Sequence, residues 1–122
     1  MPLKTFVQAM LPIWLIELFL TGLYFMFGSE QVTFISIFLF AISAALLPFV
    51  AGVRVVHTNG SISFAILGAV SISFITLLAA ALENIFVSSN LEAFLGFVVA
   101  TLMFAVVPQA IFGSVGGYFA RK

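Results

Sequence analysis

Four apolar segments follow one another along the chain, each too long and too continuously apolar to be one face of a helix on a soluble core. They run Phe6–Phe27, Val32–Val53, Ser61–Val87 and Leu91–Phe119, and hold 22, 22, 27 and 29 residues. A helix rising about 1.5 Å per residue needs about 20 residues to cross a hydrocarbon core of about 30 Å. Each segment meets that length, and the last two exceed it enough to require tilt or protrusion. In lipid the backbone must satisfy its own hydrogen bonds, which leaves helices or a closed barrel. The segments are continuously apolar rather than alternating, and four strands cannot close a barrel. The expected fold is therefore all-α: residues 1–122 form a single bundle of four transmembrane helices joined by short connectors.

Composition excludes the competing classes. Soluble domains carry about 25% charged residues and about half apolar ones, whereas this chain has 7% and 64%. Disordered chains are poor in aromatics, and 16 Phe residues argue against that class. The cations Lys4, Arg54, Arg121 and Lys122 are too few and scattered to track a nucleic-acid backbone, so no nucleic-acid partner is expected. With no Cys and a single histidine, His57, disulfides, thiolate metal sites and bis-histidine haem ligation within one chain are ruled out. No nucleophile–base pair, metal-ligand spacing or phosphate-cradling loop is present, so neither enzymatic activity nor a cofactor is expected. Lys4 ahead of an apolar run imitates a secretion signal. The run is longer than the roughly 7–15 residues of a signal core and contains Glu17, so it reads as a retained spanning helix.

The breaks read as turns at Gly28–Gln31, Arg54–Gly60 with Asn59-Gly60 as the turn dipeptide, and Ser88–Asn90 with Asn90 as an N-cap. Four spans put both termini and the middle connector on one side. Lys4, Arg54, Arg121 and Lys122 fall on that side, and Glu30, Glu83 and Glu92 on the other. The positive-inside rule makes the basic side cytoplasmic. The expected location is a prokaryotic cytoplasmic membrane with both termini inside, and the one-sided charge sorting argues against insertion in two orientations.

Glu17, near the middle of the first segment, is the one ionisable group at mid-span depth. A charge there costs about 2.5–3.5 kcal/mol on insertion scales, and an intramembrane carboxyl marks a functional site by default. Thr21 and Tyr24 follow at i+4 and i+7 on the same helix face, and Trp14 flanks it at i−3. In the fourth segment Thr101, Ala105, Gln109, Gly113 and Gly117 recur every four residues. Gly113 and Gly117 form the small-xxx-small pair that lets helices approach closely, and Gln109 lies at a depth from which it could contact Glu17. The third segment has its own small stripe, Ala65, Ala69 and Ser73, continued by Thr76, Ala80 and Glu83. Pro48 and Pro108 sit at similar depth in the second and fourth segments, where each is expected to kink its helix. The missing proline N–H also leaves a carbonyl (for Pro108, that of Phe104) free to accept elsewhere.

Two functional readings follow. The first is a small non-catalytic accessory subunit of a larger membrane complex, because packing faces are abundant and a reaction centre is not evident. Its partners would be membrane lipids, other transmembrane subunits or further copies of itself. The alternative is a small oligomeric transporter or channel that couples to a proton or cation through Glu17.

Overall fold

The computed structural model describes residues 2–28 and 34–121, and these are helical apart from short connectors. The turn at Ser29–Gln31 with Glu30, the expected start of the second segment at Val32, and Lys122 lie outside the described residues. Among the described residues four helices are long and apolar enough to cross a membrane: α1 (Leu3–Met26), α2 (Phe34–His57), α3 (Ile62–Val87) and α4 (Leu91–Arg121).

In α1 the buried residues Phe6, Met10, Ile13, Glu17, Leu20 and Thr21 recur at three- and four-residue steps and make one stripe. The opposite faces of all four helices present large apolar side chains such as Leu15, Phe19, Phe38, Phe74, Leu102 and Phe119 to the surroundings. Leaving one such side chain in water forgoes about 1.5–3 kcal/mol, so an exterior of this kind matches a lipid setting.

Two boundaries differ from the sequence reading. α1 starts at Leu3, directly after Pro2, rather than at Phe6. The segment Arg54–His57, read as part of a turn, is the last turn of α2. Val55 is fully buried there, and the Arg54 Nε donates to the Ala9 carbonyl of α1 at 2.8 Å. Basic residues also suit the negative end of a helix. The connector shrinks to Thr58–Ser61. Asn59 takes the left-handed conformation at φ 68°, and the Ser61 hydroxyl caps α3 by accepting from the Phe64 N–H. The next connector turns at Ser89 (φ 48°), and the Asn90 side chain accepts the Ala93 N–H at 3.1 Å as the cap of α4.

The bundle is tightest toward its Arg54 end, where the second half of α2 packs most extensively on the second half of α4, with α3 against both. Small residues make this possible. A Cβ on Gly52 would collide with the carbonyl oxygen of Gly113, one on Gly116 with that of Phe49, and one on Gly113 with the Ala69 methyl. Gly117 lies against Ala65 and Val56. At the Asn90 end the helices diverge. Residues 34–41 of α2 pack chiefly on the end of α1, and Leu91–Phe104 of α4 chiefly on α3, so these two segments stand apart. One end locked by glycine and one end open is the frame in which the polar side chains sit.

Candidate functional site

The divergence leaves a cavity of about 450 Å³ between the four helices, bordered by Leu39 and Phe40 of α2 and by Phe97 and Phe104 of α4. Toward the Arg54 end lies the buried core, with Ile13, Leu47, Ala51 and Ile72. Most of the wall is apolar, but every helix contributes polar groups to it.

Glu17 is the centre of these. It is 1% exposed, and both carboxyl oxygens are engaged: Ser43 of α2 donates to Oε1 at 2.6 Å, and the Thr76 hydroxyl of α3 donates to Oε2. The Thr76 hydroxyl is also 3.1 Å from the Ile72 carbonyl of its own helix. It has one proton to give, so it can turn from the carboxyl to the backbone without losing a partner. Ser43 is 14 residues from His57, Glu17 14 from Leu3 and Thr76 14 from Ile62. At about 1.5 Å per residue all three stand about 21 Å along their helices from the Arg54 end.

Gln109 of α4, also 1% exposed, is held beside this group rather than against it. Its Oε1 accepts from the Ser73 hydroxyl and its Nε2 donates to the Ser43 carbonyl at 3.2 Å. Ser43 therefore links the two residues: its hydroxyl serves Glu17 and its carbonyl serves Gln109. That carbonyl is available for a covalent reason. In the wider π-helical turn Ile42–Leu46, the Leu47 N–H bonds the Ile42 carbonyl, and the next donor along the helix would be Pro48, which has no N–H. Pro48 thus frees the oxygen that Gln109 takes. Pro108 acts in α4, where the helix is interrupted at Ala105 (φ −105°), between Phe104 and Val106.

Thr21 and Tyr24 line the same cavity above Glu17, and Thr101 and Ala105 line it from α4. Gly113, Gly117, Ala65 and Ala69 belong to the tight end, and Ser73 lies where that end meets the cavity. Trp14 turns away from the cavity, and its Nε1 donates to Ser71 of α3 at 2.8 Å. Sequence reasoning missed Ser36, which lines the cavity, and Ser43, and did not connect Thr76 with Glu17. Equal distance along the helices was the available signal for Ser43.

Among the described residues no basic side chain lines the cavity. Arg54, bonded to Ala9, is eight residues of helix, about 12 Å, below Glu17. The site offers acceptors and hydroxyls without a fixed cation, which suits a proton or a cation arriving from outside. Among the described residues no three His, Cys, Asp or Glu side chains come together as metal ligands. Comparison of the chain with protein-family models, with curated proteins and with solved structures finds no match.

Proposed function

We propose that this chain is a small membrane carrier that binds a proton or a small cation at Glu17. The observation behind the reading is that all four helices send polar side chains to one mid-helix cavity around a carboxyl with no cationic partner lining it. A bundle built only to pack would fill this space, because side chains lining a void lose the contacts that atoms on the other side would give. Ser43 fixes one carboxyl oxygen. Thr76 releases the other by turning to the Ile72 carbonyl, so the solute is received without stranding a buried hydroxyl. The cavity is closed toward the Arg54 end by the glycine-packed helices, so solute reaches Glu17 from the Asn90 end. In this proposal Arg54 and both termini face the cytoplasm of a prokaryotic cell, and solute enters from outside.

A second reading, an accessory subunit of a larger membrane complex, draws on α4. In Leu91–Phe104 only Thr101 is buried, which leaves this segment to lipid, a neighbouring transmembrane subunit or a second copy.

The test is flux into liposomes carrying the full chain, with an imposed proton or monovalent-cation gradient. Glu17→Gln keeps side-chain shape and the capacity to bond Ser43 and Thr76 while removing the charge. Gradient dissipation by the native chain and its loss in Glu17→Gln is the expected result. Equal flux in both, together with other polypeptides retained on purification in mild detergent, would replace the carrier with the accessory subunit.

A further inference from the structure

A second cavity, of about 260 Å³, lies at the Asn90 end between the ends of α1, α3 and α4. Tyr24 and Phe97 line both cavities, so the two spaces share an aromatic wall. Phe25 completes a three-ring cluster, with centroids 5.6 Å apart for Tyr24–Phe25, 6.0 Å for Phe25–Phe97 and 6.1 Å for Tyr24–Phe97. The remaining polar lining is Glu83, Asn84 and Asn90. The Asn84 Oδ1 is buried and has no hydrogen-bond partner among the described residues. An acceptor left in that state has lost its water without a replacement, and a donor placed in the cavity would restore the missing bond.

We infer that this outer cavity is a binding station for a small protonated amine, from which the solute passes Tyr24 and Phe97 to reach Glu17. The inference rests on the carrier reading for its destination, but the outer site stands on its own chemistry. A carboxylate, an unpartnered carbonyl oxygen and ring walls together select a compact cation that carries N–H donors and sheds its water readily. An anion finds no basic side chain among the described residues of the lining. Hard metal ions prefer six or more oxygens, and this wall is largely aromatic and aliphatic. The ammonium donates to Asn84 Oδ1, its charge is balanced by Glu83, and its alkyl body rests against the rings.

The experiment uses the full chain in lipid nanodiscs and saturation-transfer NMR with two probes of the same shape, tert-butylammonium and neutral tert-butanol. Titrations run in the Glu17→Gln background, so that only the outer station is read. The charged probe is expected to bind saturably and the neutral one not. Cation–π contacts are worth about 0.5–2 kcal/mol, so Phe97→Leu should weaken binding about 2–30-fold. The isosteric Glu83→Gln should weaken it about tenfold, the equivalent of one charge contact of about 1.4 kcal/mol. Equal binding of both probes would overturn the inference by reducing the cavity to an apolar pocket. So would no binding of either, or affinities that neither variant moves. These outcomes are separable from the carrier reading: flux that survives Glu17→Gln removes the carrier and leaves the outer site to be judged on Glu83 and Phe97 alone.

Discussion

Replacing Gly52 by Ala tests the packing that closes the cavity from below. An ideal Cβ at that position would stand 2.9 Å from the Gly117 nitrogen, and it would overlap the Gly113 carbonyl oxygen more severely. Both obstacles are backbone, so relief requires α2 and α4 to move apart. A radial gap of about 0.5–1 Å already forfeits a quarter to a half of each van der Waals contact it opens, and overpacking a tight interior costs about 1–3 kcal/mol. Alanine returns about 1 kcal/mol of helix propensity, so the net loss should be about 1 kcal/mol, and about 2 kcal/mol at the upper end of the overpacking range. Gly22 and Gly96 are internal controls, because a Cβ at either meets nothing within 4 Å. There Ala should be neutral or stabilise by about 0.5–1 kcal/mol. Gly68 is intermediate, since its nearest obstacle at 2.9 Å is the Met10 sulfur, the end of a flexible side chain. Reversible unfolding of the full chain in mixed micelles measures all four variants on one scale. Gly52→Ala should be the least stable, Gly68→Ala next, and the two controls at or above the native chain. A Gly52→Ala protein as stable as Gly22→Ala would refute the close approach of α2 and α4.

Two smaller predictions follow from single hydrogen bonds. Asn90→Ala removes the acceptor for the Ala93 N–H and should cost about 0.5–2 kcal/mol in the same unfolding measurement. Ser71→Ala leaves the Trp14 indole N–H without its acceptor, which should cost about 0.6–2 kcal/mol and move the emission of this single tryptophan to shorter wavelength; an unmoved spectrum would mean that Trp14 does not point at α3.

The number of helices and their approximate extents were legible because length and unbroken apolarity are one-dimensional properties. The ends were less so. Arg54 and His57 look like connector residues in a list of polarities, but Val55 between them is core, and only the neighbouring α1, with its Ala9 carbonyl, explains why the helix continues. Glu17 was legible as the one mid-span ionisable side chain, and the four-residue stripe of α4 pointed to Gln109, Gly113 and Gly117. What the stripe could not disclose is that Gln109 bonds a carbonyl of α2. That link depends on a π-helical turn meeting Pro48, a backbone event with no signature in hydropathy. Ser43 was overlooked for a related reason: a lone serine among Ile, Ala and Leu is common in spanning helices and gains meaning only from what stands opposite it. The cavity follows from the separation of residues 34–41 and Leu91–Phe104, which is a property of the whole bundle.

The central claim is that Glu17 sits in an open cavity within the apolar zone and handles the transported cation. Reaction with dicyclohexylcarbodiimide, an apolar reagent that reaches carboxyls from lipid, tests it most directly when the full chain is in liposomes and the adduct is located by mass spectrometry. The account predicts an adduct on Glu17 and a loss of flux in proportion to its yield. Flux that persists with Glu17 fully modified, or a Glu17 that remains unmodified, would contradict it.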